Sequence, residues 1–208
     1  MNLKETYDKI AEDWHSDHKK DDWWIEGTDK FISFLGKGDL VLDVGCAGGI
    51  KSKYLMQKGL NAVGIDFSEK MIEIAKCEVP NGEFLVKDMA DSETLNYVFD
   101  AIFMQAVLLH IPKVNAKEII KKLAKKLKRG GYFYIAVKAK KPGRAEEEVS
   151  VEEDYGYRYE RFFSFFTLKE IKRYMKESGL DVIYETTTDS GRTKWIQVIA
   201  QKKNSFLK

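Results

Sequence analysis

The sequence predicts an α/β fold: a doubly wound, mostly parallel sheet of seven strands with helices on both faces and an antiparallel hairpin at the end. From about residue 39, short apolar runs alternate with amphipathic segments of helix length, the pattern of parallel βαβ units. Several runs are apolar at successive positions, as expected for strands that helices cover on both faces. Near the end of the chain, two strands flank a short loop containing Asp189, Ser190 and Gly191, which predicts the hairpin.

The predicted elements follow one another regularly. Ser68 stands at the N-cap position of a helix, and Thr167 lies three residues before Glu170, the spacing of a capping box. Asn115 is expected to begin the helix before the fifth strand, and Gly130 to end it. The strands are predicted at residues 39–44, 60–65, 83–87, 99–104, 131–138, 181–187 and 193–202.

The length of 208 residues suits a single domain, 1–208, with a full core. We divide it into helices at 1–36, a central α/β core at 37–138, a polar excursion at 139–166, and a C-terminal helix with the hairpin at 167–208. The excursion is too long for an ordinary connection, so it is either functional or mobile. Its acidic part, EEEVSVEED, is expected to be a mobile, solvated loop.

Composition excludes several classes of protein. Thirty-five Lys and Arg nearly balance 33 Asp and Glu, and a net charge of +2 does not favour a nucleic-acid binder. No apolar run approaches the length of a membrane span, and MNLKETYDK lacks the apolar core of a signal peptide. The expectation is therefore a soluble, cytoplasmic protein that does not bind membranes. The sequence says nothing about the oligomeric state.

Metal and disulfide chemistry are not expected. Cys46 and Cys77 are too few and too far apart for a zinc cluster or a redox pair. His15 and His18 have no third ligand at a suitable spacing, so no metal site is predicted.

Polar residues stand at the carboxyl ends of the predicted strands. Asp43 and Asp66 end the first two strands, Asp88 ends the third, and Gln105 follows the fourth. Right-handed crossovers bring such positions to one rim of the sheet, where open α/β folds bind ligands. We therefore expect these four side chains to surround one crevice.

The turn VLDVGCAGGI, residues 41–50, faces the same crevice. A dinucleotide fingerprint beginning at Gly45 would need two further glycines where Ala47 and Ile50 stand, so NAD is disfavoured. Asp66, about 20 residues further on, still suits a ribose, because a carboxylate can accept hydrogen bonds from both hydroxyls. A ribose without a pyrophosphate fits these residues better.

Residues 38–138 resemble the class I S-adenosylmethionine-dependent methyltransferases, a family with a Rossmann-like sheet, and in particular its small-molecule members of the methyltransferase domain 11/25 type. The family's motif acid-x-Gly-x-Gly-x-Gly matches Asp43, Gly45 and Gly49, with Ala47 at the middle glycine. FDAIFMQAVLLHIP and LKRGGYFYI match its fourth strand and the approach to its fifth. YDKIAEDW near the start and FFTLKEIKRYMKESGLDVI near the end extend the similarity.

The resemblance implies S-adenosylmethionine as cofactor and S-adenosylhomocysteine as product. It places Gly45 and Ala47 against the methionine part and Asp43 at its amino group, and it assigns the ribose hydroxyls to Asp66. Asp88 would face the adenine amino group. Together with Gln105 at the rim of the sheet and with Tyr7 and Trp14 on the N-terminal helix, the predicted cofactor-binding residues are Asp43, Gly45, Cys46, Ala47, Gly49, Asp66, Phe67, Met71, Asp88 and Met89.

Methyl transfer is an in-line displacement, so the protein mainly supplies proximity and alignment. If the acceptor must lose a proton, His110 after the fourth strand is the candidate base; otherwise it only packs in its turn. Tyr7 and Trp14 lie seven residues apart, hence on one helical face, and form either a lid over the cofactor or ordinary core packing.

The acceptor is expected to be a small molecule. Tyr157, Tyr159 and Arg161 in the excursion supply aromatic area and directed donors, which suit an aromatic or anionic acceptor, although this segment could also simply pack the next helix. Two other functions stay open: methylation of RNA or protein, and cofactor binding without catalysis in a regulatory protein.

Overall fold

The computed structural model describes residues 2–203. Its seven-stranded sheet has the order β3-β2-β1-β4-β5-β9-β8, and β9 runs in the direction opposite to the other six strands. The predicted α/β fold with a mostly parallel sheet and a terminal hairpin is confirmed. The strands are β1 Leu40–Val44, β2 Asn61–Asp66, β3 Glu83–Val86, β4 Phe99–Gln105, β5 Leu127–Lys138, β6 Glu147–Glu152, β7 Tyr159–Ser164, β8 Leu180–Ser190 and β9 Thr193–Lys202.

The helices begin largely where capping residues predict. The Ser68 hydroxyl accepts a hydrogen bond from the Met71 N–H at 3.1 Å, and Thr167 and Glu170 form a complete capping box. The α-helices are α1 Leu3–His18, α2 Ile25–Ile32, α3 Ile50–Gln57, α4 Glu69–Glu78, α5 Lys113–Lys125 and α6 Leu168–Glu177, and two 3₁₀ helices lie at Met89–Thr94 and Leu108–His110.

Helix α5 differs from its prediction at both ends. It starts at Lys113, and Asn115 is already in its first turn, since its N–H donates to the Pro112 carbonyl at 2.8 Å. At the other end the chain leaves the helix at Lys125, and the Lys126 carbonyl accepts a hydrogen bond from the Phe99 N–H of β4 at 2.8 Å. Hydrogen bonding to β4 therefore begins at Lys126, four residues before Gly130, and replaces the helix there. Gly130 lies inside β5.

The acidic excursion is not the predicted loop. β6 and β7 pair as an antiparallel ribbon, in which Ser150 lies opposite Arg161. The Arg161 guanidinium donates two hydrogen bonds to the Glu152 carboxylate, at 2.5 and 2.7 Å. This bidentate pair and the alternation of side chains between the two faces of the ribbon, which leaves Val149 exposed, are consistent with an ordered strand. The net negative charge of the segment gave no sign of this order.

Helices cover both faces of the central sheet. On one face α5 and α6 pack on a large apolar core that includes Phe99, Phe133 and Phe166. On the other face, Phe31 of α2 packs beside Phe103 and Tyr134, whose rings stack at 4.7 Å. Among residues 2–203, no helix combines the length and the apolarity needed to span a bilayer.

Helix α1 is fastened to α4 and to the β6–β7 ribbon. Ser68 at the start of α4 donates its hydroxyl hydrogen bond to Asp8 at 2.7 Å. On the other side, the Lys9 ammonium donates to the Arg158 carbonyl at 3.0 Å, and the Tyr157 hydroxyl donates to Asp13 at 2.6 Å. These bonds hold α1 beside the carboxyl ends of the strands.

Candidate functional site

A cleft of about 290 Å³ lies between α1 and the carboxyl ends of the central parallel strands. Its position agrees with the general rule for ligand sites in open α/β sheets. Of the residues that the sequence singles out, those that line the cleft are Tyr7, Trp14, Asp43, Gly45, Cys46, Ala47, Asp66, Phe67, Met89, Gln105, His110 and Arg161.

The turn after β1 needs small residues because two other elements pack tightly on it. Gly45 has a φ of +65°, and a Cβ atom there would lie 2.4 Å from Val107 Cγ2. A Cβ atom on Gly48 would lie 2.1 Å from Nδ1 of His15 on α1. Ala47 also has a positive φ, +46°. The turn therefore exposes backbone to the cleft while α1 packs directly on its far part.

Two carboxylates meet beside this turn. Asp43 is 2% exposed and accepts a hydrogen bond from the Ser52 hydroxyl at 2.6 Å. Asp66 accepts hydrogen bonds from the backbone N–H groups of Ala47 at 3.0 Å and Ser68 at 2.9 Å. Burial raises the pKa of Asp43 to about 7 and the pKa of Asp66 to about 6. A ligand that donates hydrogen bonds or carries positive charge would therefore stabilise the ionised form of both carboxylates.

Lys51 also lines the cleft, and the sequence reasoning missed it. It is the second residue of α3, directly behind the glycine turn. Burial lowers the pKa of its ammonium group, while the negative charges of Asp43 and Asp21 oppose that shift. Its place after the turn was visible in the sequence, but a lysine near a helix start ordinarily points into solvent.

His110 forms a hydrogen-bonded chain with Tyr7. The His110 Nδ1 lies 2.8 Å from the Phe162 carbonyl oxygen, which can only accept, so Nδ1 carries the hydrogen. Nε2 is therefore free to accept the hydrogen bond from the Tyr7 hydroxyl at 2.7 Å. Burial lowers the pKa of His110 to about 3 and raises the pKa of Tyr7. At neutral pH the pair consists of a neutral imidazole and a protonated phenol.

The aromatic face of α1 closes the cleft from above. The Tyr7 ring lies edge-on to Trp14 at 6.4 Å and to Phe67 at 5.9 Å. Trp14 itself stacks on His18 with 4.0 Å between ring centroids. The two residues spaced seven apart on α1 therefore face the cleft together.

The end of the cleft near β5 and β9 is basic and aromatic. The Lys138 ammonium lies 3.9 Å from the ring centroid of Phe163. Trp195, which pairs with Lys138 across the antiparallel ladder, stacks on Trp23 at 4.1 Å. Within the described chain, the Trp195 Nε1 and both amide atoms of Gln105 are buried with no hydrogen-bond partner.

Five of the predicted site residues do not line the cleft. Gly49 is the N-cap of α3, Met71 is buried with 1% exposure in α4, and Asp88 is exposed and accepts a hydrogen bond from the Ala90 N–H. Tyr157 is bonded to Asp13 on α1, and Tyr159 stacks on Tyr155 at 5.4 Å. Their assignment to the ligand site stays a prediction.

Several cleft residues that were not predicted from the sequence, among them Lys138, Thr193 and Trp195, lie on β5 and β9. Lys138 ends β5 and could have been found by the rule that located Asp43 and Asp66. Trp195 reaches the same rim only because the hairpin brings β9 back beside β5. No local signal in the sequence indicates which residue of a hairpin strand lies opposite Lys138.

Comparison with known proteins identifies the family. A family model described as a methyltransferase domain matches residues 11–185. Phosphoethanolamine N-methyltransferase 1 of Zea mays is 31% identical over 194 residues, which cover 88% of this chain and 36% of that protein. The chain thus spans little more than a third of the length of this relative.

Solved structures show the same fold. The 1,6-didemethyltoxoflavin-N1-methyltransferase of Burkholderia thailandensis, crystallised with 1,6-didemethyltoxoflavin and S-adenosylhomocysteine, matches with a TM-score of 0.76 and 14% identity, covering 97% of this chain and 88% of that one. The magnesium protoporphyrin IX methyltransferase of Synechocystis PCC 6803, crystallised with S-adenosylmethionine, matches with a TM-score of 0.74 and 18% identity, covering 97% and 95%.

Proposed function

Since this chain belongs to the methyltransferase domain family, we propose that it transfers the methyl group of S-adenosylmethionine to a small-molecule acceptor. The observation that carries the proposal is the convergence of Asp43, Asp66 and Gln105 with a close-packed glycine turn in one cleft. Separate strands supply these groups, and they surround a single space of ligand size.

The residues present fit this cofactor. Asp66 is held by two backbone N–H groups and retains lone pairs for the two ribose hydroxyls. Asp43, whose pKa is raised by burial, would gain from the positively charged amino group of the methionine part. The buried amide of Gln105, which lacks partners among the described residues, would gain donors and acceptors from a polar ligand. When bound, S-adenosylmethionine supplies a methyl group on a positively charged sulfur that a nucleophile displaces in line.

The protein's own contribution is alignment and proton acceptance. Helix α1 closes the cleft, which favours a fixed geometry between two bound reactants; such positioning contributes about 7 to 11 kcal/mol in favourable cases. The lone pair of His110 Nε2 accepts the Tyr7 hydroxyl hydrogen, so a proton leaving the acceptor can be taken by the Tyr7 oxygen as the Tyr7 proton moves to Nε2. We assign these two residues to deprotonation of the acceptor.

The closed shape of the cleft favours a small acceptor over RNA or protein. Residues of α1 and of β7 line it, and its volume of about 290 Å³ suits metabolite-sized ligands. The near balance of positive and negative residues also does not favour a nucleic-acid acceptor.

Binding of S-adenosylhomocysteine is expected to weaken as the pH falls from about 7 to about 5. The raised pKa of Asp66, about 6, means that the unliganded carboxyl holds a proton below that pH. Ribose hydroxyls favour the ionised form, so the pKa of Asp66 falls on binding and a proton is released near pH 6. Calorimetric titrations at pH 6 in two buffers of different ionisation enthalpy measure this release. Equal heats in both buffers, with an affinity independent of pH, would contradict the assignment.

The direct test of the proposed activity is transfer of a labelled methyl group. The protein is incubated with S-adenosylmethionine carrying a radioactive methyl group and with separate pools of amines, phenols, carboxylates, RNA and protein. We expect labelled product in a small-molecule pool and none in RNA or protein. Label in RNA or protein alone would overturn the choice of acceptor class, and tight binding of S-adenosylhomocysteine with no labelled pool would favour a regulatory binder.

A further inference from the structure

We propose that the acceptor carries an oxyanion, a phosphate or a carboxylate, which binds at Lys138 where the cleft meets a second, basic cavity. The inference rests on the proposed function, because it names the substrate class of the same site. The methylated end of the acceptor would then lie toward Gln105 and the Tyr7–His110 pair, and its anionic end toward the β6–β7 ribbon.

The second cavity has a volume of about 310 Å³ and lies beside the cleft. The two share Lys138, Phe163 and Thr193 in their walls, so they meet at the end of β5. Its lining includes two carboxylates, Glu148 and Glu152. Its basic side chains are Lys138, Lys141, Arg144, Arg192 and Lys194.

The carboxylates do not neutralise this positive charge. Glu152 is occupied by its bidentate pair with Arg161, which itself lines the cleft. Glu148 and Glu152 raise the pKa of Lys138, but burial and the positive charge of Arg161 outweigh them and lower it to about 8. An excess of positive charge therefore lines the second cavity, and Lys138 carries it to the place where the two cavities meet.

Lys138 is a half-buried cation. Among residues 2–203 it forms no ion pair, and its ammonium group lies against the face of the Phe163 ring. A buried ammonium ordinarily pairs with a carboxylate, because an unpaired charge is poorly solvated away from water. An oxyanion of the acceptor would supply the missing partner.

Unsatisfied hydrogen-bond donors lie at the same end of the sheet. Among residues 2–203 the buried Trp195 Nε1–H has no hydrogen-bond partner, and Trp195 is the residue that pairs with Lys138 across β5 and β9. Gln105, with an unpartnered amide, lies on the neighbouring strand β4. A charged donor together with neutral N–H donors is the usual environment of a bound oxyanion.

An anionic acceptor would also make His110 a better base. The positive charges of Arg161 and Lys138 add to the effect of burial in lowering the pKa of His110. A bound oxyanion would offset these charges and raise the basicity of Nε2 when the acceptor is in place. Substrate recognition and proton acceptance would thus depend on the same two cations.

The test uses inorganic phosphate and acetate as probes of the full chain, with and without saturating S-adenosylhomocysteine, at constant ionic strength set with sodium chloride. Calorimetry and tryptophan fluorescence measure saturable binding, since Trp23 and Trp195 adjoin the site. We expect Lys138→Met to weaken binding of the preferred anion by about tenfold or more. Lys138→Arg, which keeps the charge, should retain binding, and Lys176→Met, on an exposed position of α6, should match the unchanged protein.

Stronger binding of phosphate or of acetate assigns that group to the acceptor. The inference is overturned if neither anion binds more strongly than chloride, or if Lys138→Met binds them as well as the unchanged protein does. Because anion binding is also measured without S-adenosylhomocysteine, failure of cofactor binding would count against the proposed function alone. Thermal melting of each variant establishes that it is folded.

Discussion

Replacing His110 with glutamine is expected to lower kcat by about 100- to 10,000-fold, the usual contribution of a positioned acid or base. Glutamine keeps a polar side chain near the Phe162 carbonyl but has no nitrogen that accepts a proton, so the Tyr7 proton has no destination. Because the pKa of His110 is about 3, no change in rate between pH 5 and 8 should come from its titration in the free enzyme. Single-turnover rates with the acceptor found by labelling measure the loss, and kcat/KM between pH 5 and 8 reports the titration of the free enzyme.

The partner variant Tyr7→Phe separates chemistry from packing. It removes the hydroxyl that donates to His110 Nε2 and leaves the ring contacts with Trp14 and Phe67 in place. We expect a loss of kcat similar to that of His110→Gln, with no further loss in the double variant, because the two residues act as one unit. Tyr97→Phe, which removes an exposed hydroxyl bonded to Glu83, is the matched control. Normal turnover in both single variants would refute the role of the pair.

Replacing Asp66 with asparagine is expected to weaken S-adenosylhomocysteine binding by at least about tenfold. A hydrogen bond to a charged group contributes about 1.5 to 3 kcal/mol, and Asp66 has room for two ribose hydroxyls. The amide of asparagine also turns a donor toward the N–H of Ala47 or Ser68, where the carboxylate offers only acceptors. The turn loses part of its own support along with the ligand contact.

A matched aspartate separates this effect from a general loss of charge. Asp181→Asn removes an exposed carboxylate that pairs with Lys203 at 3.4 Å, and it should leave the dissociation constant unchanged. Both variants are titrated by calorimetry after melting curves have shown that they fold. An unchanged affinity in Asp66→Asn would remove the ribose assignment.

The sequence predicted the cleft residues at the ends of β1, β2 and β4, because a polar or charged residue stands at each of these strand ends, whereas Asp88 after β3 lies outside the cleft. Asp43, Asp66, Gln105 and His110 follow apolar runs closely, and right-handed crossovers carry their strand ends to one rim whatever the intervening helices contain. The local sequence pattern is enough for this inference. It does not predict the individual contacts, since the hydrogen bond between Tyr7 and His110 joins residues 103 positions apart.

The residues that β9 contributes could not be found in this way. The register that sets Trp195 beside Lys138 depends on how a hairpin pairs over its whole length, including a register shift between Val182 and Tyr184. Likewise, EEEVSVEED has the charge of a solvated loop, and only the opposing strand with Arg161 makes β6 stable. Where a segment is ordered by pairing with a strand that is distant in sequence, its composition alone wrongly predicts a loop.

We expect the cleft below α1 to bind an adenosyl group attached to a charged amino acid. Thermal melting of the unchanged protein with S-adenosylhomocysteine, and separately with NAD, tests it most directly. At about 100 times its dissociation constant, S-adenosylhomocysteine should stabilise the fold by about 2.7 kcal/mol and raise the melting temperature, whereas NAD should have no effect. A shift with NAD alone, or none with S-adenosylhomocysteine at saturating concentration, would contradict the account.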